Sequence, residues 1–190
     1  MRTITVAMAA LILGACAAGA QQSEARFAVR GGFYLGNGFS DGLLHTHLEG
    51  FEIGADVPIV RKASGVNGIY FAPTIVFGGS NRSGPDTDGN IYRLMVNAKR
   101  DFGTSGFYGG LGLGVSFTQA RTFTGAGAAT GRPGNNSEFV DVAGVTGEFL
   151  LGYVLNYRSG ARTKPFLELS YYAGSDEKLS GLSFNVGLRL

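Results

Sequence analysis

The sequence predicts an all-β fold, an eight-stranded antiparallel up-and-down transmembrane β-barrel, and three observations carry that reading. Eight segments alternate apolar with small or polar residues at period two, the pattern of a strand with two unlike faces. Only 16% of residues are charged, whereas a soluble domain carries about 25%, which leaves too few to cover a surface in water. Beyond Ala20 no stretch stays apolar for the roughly 20 residues a spanning helix needs.

Met1 to Ala20 reads as an export leader. Arg2 gives the positive start, Ile4 to Leu13 the apolar run, and Ala18-Gly19-Ala20 a small-x-small cleavage site before Gln21. The expected organisation is a signal peptide over 1–20 and one barrel domain over 21–190. Cys16, the one cysteine, falls in Leu13-Gly14-Ala15-Cys16, which resembles a bacterial lipobox. Lipidation at Cys16 and loss with the leader both stay open, and neither leaves a disulfide. Lys and Arg number 16 against 14 Asp and Glu, with no basic block, so nucleic acid is not implied.

The first strand runs Phe27 to Gly36, with Phe27, Val29, Phe33 and Leu35 on one face and Ala28, Arg30, Gly32 and Tyr34 on the other. Asn37 to Thr46 is rich in turn formers and makes a loop. In the second strand Phe51, Ile53, Ala55, Val57 and Ile59 alternate with Glu52, Gly54, Asp56 and Pro58. Arg61 to Asn67 links it to a third, Gly68 to Gly78, where Pro73 removes a ladder donor and predicts a bulge. Gly79 to Gly89 reads as a long hydrophilic loop.

The fourth strand sets Tyr92, Leu94, Val96 and Ala98 opposite Arg93, Met95, Asn97 and Lys99, and Gly103 to Ser105 is a tight turn. In the fifth, Gly106 to Gln119, Phe107, Leu111, Leu113, Val115 and Phe117 oppose Tyr108, Gly110, Gly112, Gly114 and Ser116. Ala120 to Glu138 is the longest loop. The sixth strand spans Phe139 to Leu155 with Glu148 on its small-residue face, and the seventh Pro165 to Gly174 with Glu168. The eighth, Leu182 to Leu190, is apolar at every even position, carries Arg189 on its other face, and is expected to close against the first. The first, third, fifth and seventh connections average longer than the even-numbered ones, a tendency only, since the seventh is short, and one suited to outside loops and periplasmic turns.

Alternation does not say whether the apolar face turns inward or out to lipid; charge does. The other face carries Arg30, Glu52, Asp56, Arg93, Lys99, Asp101, Glu148, Glu168 and Arg189 among Gly, Ser, Thr and Tyr. That is too sparse for a watery exterior and suited to a filled interior, since eight strands enclose just enough space for side chains. Arg30, Glu52, Asp56, Arg93, Lys99, Glu148, Glu168 and Arg189 are therefore the candidate interior ion cluster. Arg30, Glu168 and Arg189 fall toward one end, with Asp56 in reach. Phe27, Phe33, Phe77, Phe107, Phe117 and Tyr153 are expected to form interfacial girdles.

The leader, the eight strands and the terminal Gly181-Leu182-Ser183-Phe184-Asn185-Val186-Gly187-Leu188-Arg189-Leu190 resemble the small outer-membrane β-barrel superfamily of Gram-negative bacteria, which includes opacity-type proteins and the membrane domain of OmpA. Leu190 departs from the Phe or Trp with which such proteins usually end. The resemblance implies a monomer in the cell outer membrane, in contact with its lipid and lipopolysaccharide, inserted by the barrel assembly machinery. It also implies a structural or surface-interaction role for which no catalysis and no cofactor are expected, the ligand of the outside loops being unspecified.

His45 and His47 with Glu49 fall short of a convincing metal site, and Asp86-Thr87-Asp88-Gly89-Asn90 lacks the later bidentate Glu of a calcium loop, so no metal is expected. One alternative is an enzyme resembling lipid A palmitoyltransferase, with His45 in the first outside loop and Ser80, Ser83, Asp86 and Asp88 in the second, although that family's N-terminal amphipathic helix is missing. A lipid A deacylase is disfavoured because neither His lies near a Ser of the closing strands. The other alternative is a soluble ligand-binding barrel, whose apolar face would line a cavity.

Overall fold

The computed structural model describes residues 26–37, 48–60, 68–80, 87–102, 105–123, 137–156 and 162–190. The proposed leader over 1–20 lies outside them, as do His45, His47, Ser83 and Asp86. The strands are β1 (Ala28–Gly36), β2 (Glu49–Val60), β3 (Gly68–Ser80), β4 (Thr87–Asp101), β5 (Phe107–Phe123), β6 (Ser137–Val154), β7 (Lys164–Gly174) and β8 (Gly181–Arg189). They pair in sequence order, all antiparallel, and form one closed barrel. β8 closes on β1 from Ala28↔Arg189 to Gly36↔Gly181, and the Leu190 amide donates to the Phe27 carbonyl at 2.8 Å. Closure leaves no sheet edge in the hydrocarbon, the condition for crossing a bilayer with strands.

The two faces sort as their side chains require. Phe33, Leu113 and Phe149 are 73%, 65% and 66% exposed, while Arg93 and Glu148 are 0% and 2% exposed. Apolar groups thus cover the outside and ionic groups fill the inside, the reverse of a lipocalin-type barrel, so the soluble ligand-binding alternative is set aside. On the outside, the ladder partners Phe184↔Phe33↔Phe51↔Phe77 make a continuous row of phenylalanines, with Phe33 and Phe51 edge to face at 6.5 Å. Phe107 and Tyr153 meet at 4.7 Å near the opposite end. Phe27 is buried rather than part of a girdle, at the rim where its carbonyl takes the Leu190 amide.

Pairing runs further than side-chain alternation suggested. Thr87 to Gly89, assigned to a loop, continue β4 against Gly78 to Ser80, and Ala120 to Phe123 pair with Ser137 to Val140. The Gly79–Gly89 and Ala120–Glu138 loops are therefore shorter than the sequence implied. β7 ends at Gly174 opposite Thr146, so the stretch of β6 from Ser137 to Val145 rises beyond it as part of a tall β5–β6 hairpin. The bulge expected at Pro73 is not there. The β2–β3 register is the same on both sides of Pro73, and the shift falls instead between Pro58 and Val60, near the strand end where slippage disturbs fewest partners. At that same end of the barrel Gly106 (φ 92°) and Asn156 (φ 53°) take left-handed positions that suit those two residues.

Candidate functional site

The site is the barrel's interior, and the reason it can hold long ionic side chains lies in their ladder neighbours. Arg30 is flanked across the sheet by Gly54 and Gly187, and Lys99 by Gly68 and Gly110. Glu148 has Gly112 on one side and Glu168 has Gly152. Bare backbone beside each large group gives the lumen room to close. At Gly152 a methyl group would overlap the Tyr108 ring, and at Gly187 the Phe166 ring.

Four of the candidate residues form a ring of alternating charge. Arg30 Nη1 donates to Asp56 Oδ1 at 3.1 Å and to Glu168 Oε1 at 2.9 Å. Lys99 Nζ donates to the other two oxygens, Asp56 Oδ2 at 2.6 Å and Glu168 Oε2 at 2.8 Å. Each carboxylate thus bridges both cations. The Tyr108 hydroxyl adds a bond to Glu168 Oε2 at 2.9 Å, and Arg30 Nη2 donates to Thr74 Oγ1 at 3.2 Å.

Above this ring, Glu52 Oε1 accepts from the Tyr172 hydroxyl at 3.1 Å and from Asn185 Nδ2 at 3.0 Å. Arg93 lies 3.7 Å from Glu52 Oε2, with its guanidinium carbon 4.6 and 4.0 Å from the ring centroids of Tyr34 and Tyr172. Cation–π attraction there supplements the ion pair with Glu52. Glu148 accepts from Asn97 Nδ2 at 2.8 Å, and Arg30 Nη2 stands 4.0 Å away. Arg189 stands apart from the ring: it lies over Tyr108 at 4.2 Å and 3.8 Å from Asp101, at the end where β1 begins and β8 finishes.

Two apolar layers bracket the ionic one. Tyr34, Leu48, Val76, Ile91, Ala120 and Tyr172 pack toward the β5–β6 hairpin end, and Ala28, Tyr108, Leu150, Val154 and Phe166 toward the other. Arg30, Glu52, Arg93 and Glu168 are all at most 3% exposed, so their chemistry is directed at one another. Tyr34, Tyr108, Tyr172, Asn97 and Asn185 belong to the network although the ionic count of the sequence passed over them. Their parity on the small-residue face was the signal that places them inside. Of the palmitoyltransferase-like candidates, Ser80 and Asp88 are strand residues rather than loop residues. No group of three His, Cys, Asp or Glu is assembled for a metal among the described residues.

A closed barrel with an apolar exterior and an ionic, side-chain-filled interior has the architecture of a small outer-membrane β-barrel. Solved structures of that kind superpose on it over nearly their whole length. Neisserial surface protein A (NspA) is 18% identical, with 86% of this chain and 96% of that one covered at a TM-score of 0.53. Ail, the attachment invasion locus protein of Yersinia pestis, is 12% identical, with 88% and 100% covered at 0.53. The N-terminal barrel domain of Pseudomonas aeruginosa OprF is 11% identical, with 86% and 95% covered at 0.50. These likenesses establish the fold. No protein-family profile matches the sequence, and no curated protein does.

Proposed function

We propose that the protein is a non-enzymatic, monomeric barrel of the cell outer membrane whose work is done at its outer end, by the β5–β6 hairpin and the connections beside it. In this reading residues 1–20 are an export leader, the barrel assembly machinery inserts the chain with both termini toward the periplasm, and lipid and lipopolysaccharide surround it. The observation that carries the proposal is the interior itself. Ion-paired charges stacked between two apolar layers are a core that fixes strand register, and such an interior supports a wall without a wide aqueous path. The height of β5 and β6, at 17 and 18 residues against the roughly 9–11 a tilted strand needs to cross, supports a hairpin standing clear of the bilayer. Ail, of the same fold, has been crystallised in complex with the heparin analogue sucrose octasulfate, which supports a ligand-binding role for a barrel this small.

Two measurements test the reading. The purified barrel in planar bilayers is expected to give no steady conductance, and a strain lacking the protein to keep an unchanged lipid A mass spectrum. A lost acyl modification would identify an enzyme, and stable open-channel current would identify a pore.

A further inference from the structure

The lipid-facing wall carries a groove that the ion network does not explain. Ladder partners run from Arg100 through Gly109, Leu151 and Leu169 to Phe184, one row across five strands. Because barrel strands tilt by roughly 35–45°, the row climbs obliquely. Arg100 stands one residue from the periplasmic end of β4, and Phe184 lies in the upper half of β8. A recess of about 310 Å³ follows this row between Phe102 at its lower end and Phe184, with Phe107, Leu151, Tyr153 and Leu169 among its walls. Gly109 contributes no side chain, so the Phe102 ring folds over its backbone, 2.9 Å from where a Cβ would stand. Arg100 is exposed.

We propose that this groove binds one acyl chain of an inner-leaflet glycerophospholipid, with Arg100 meeting its phosphate. The inference rests on the outer-membrane placement and on the termini facing the periplasm. Every surface along the recess is bathed by lipid tails, and an apolar slot in a rigid wall is filled by the chain that fits along it. Four strand spacings separate Arg100 from Phe184, about 19 Å, a path that rises obliquely through about one leaflet of a hydrocarbon core ~30 Å thick. Arg100 pairs with Gly109 just outside the recess, beside the Phe102 ring that bounds its lower end, and apolar side chains continue from there where the tail would run. Charge and polarity are thus ordered along the groove as they are along a phospholipid. Lipopolysaccharide, confined to the opposite leaflet, would have its phosphates at the wrong end.

The test is native mass spectrometry of the full-length barrel extracted from membranes in a mild detergent. Wild type is expected to retain one phospholipid per chain. Arg100→Gln should lower that fraction about five-fold, the effect of one basic side chain at an anionic surface. Leu169→Trp, which fills the slot, should remove it, and Leu113→Trp, on the lipid face of β5 outside the groove, should leave it unchanged. The heat-dependent shift in gel mobility verifies that each variant is folded. Equal retention by wild type, Arg100→Gln and Leu169→Trp would overturn the proposal, as would lipopolysaccharide as the retained species or no retained lipid at all. Loss of wild-type protein from the carbonate-washed membrane pellet would instead count against the membrane placement on which it rests.

Discussion

Arg30 joins more of the buried carboxylates than any other cation, and its removal tests whether the interior charges act as one unit. Arg30→Met keeps most of the side-chain length and deletes the bonds to Asp56, Glu168 and Thr74 at 3.1, 2.9 and 3.2 Å, together with the nearby Glu52 and Glu148 at 3.8 and 4.0 Å. Among the described residues the buried ions are the cations Arg30, Arg93 and Lys99 and the carboxylates Glu52, Asp56, Glu148 and Glu168. The substitution therefore leaves two uncompensated carboxylates where wild type has one. Orphaning a buried partner costs about 3–5 kcal/mol. With a urea dependence of roughly 1–3 kcal/mol per molar, the midpoint for barrel in lipid vesicles should fall by about 2 M. Far-ultraviolet circular dichroism and the folded gel band report it without tryptophan, which the chain lacks. Glu168→Gln alone should also destabilise, but Arg30→Met with Glu168→Gln restores the wild-type charge balance, so the double variant should be more stable than the sum of the two losses by more than about 1 kcal/mol. Single losses under about 1 kcal/mol that add within about 0.5 kcal/mol would refute a coupled network and mean that the charges are individually hydrated.

Glu148→Gln should cost less than about 1 kcal/mol in the same urea titration, because its one short bond, from Asn97, can still be accepted by an amide oxygen and its nearest ionic partner stands 4.0 Å away. Arg93→Lys should lower thermal stability by about 1–2 kcal/mol, since a compact ammonium cannot match the planar guanidinium's contact with both the Tyr34 and Tyr172 rings; an unchanged melting temperature would argue against that cation–π pairing. Leu113→Arg, which puts a cation on the lipid face, should cost about 2–4 kcal/mol in folding from urea into vesicles, and an effect no larger than that of Leu113→Ala would show that this face does not meet hydrocarbon.

Where the sequence reading and the structure part, the cause is the same. Side-chain alternation marks a strand only where its two faces meet different media. Asp88, Arg121 and Glu138 are paired strand residues, but their stretches show no apolar–polar alternation in the sequence to mark the backbone pairing. At Pro73 the missing donor suggested a bulge, yet a closed wall holds each strand from both sides. β3 pairs with β4 in unbroken register through Pro73↔Leu94, so the irregularity moves to the end of β2.

By itself the sequence determined the strand count, the faces within its alternating segments and the medium each face requires, because period-two alternation is a local property and nine ionic groups on one face could not be turned into lipid. It also determined that Arg30, Glu52, Asp56, Arg93, Lys99, Glu148 and Glu168 share the interior. Only the tertiary structure decided which of them touch. Arg30 of β1 reaches Asp56 on one neighbouring strand and Glu168 two strands away in the other direction, while Arg189 on β8 is left with Asp101. Those meetings depend on the heights at which side chains enter the lumen. Heights are set by register and tilt summed around the closed wall, a property of all eight strands together and of no segment alone.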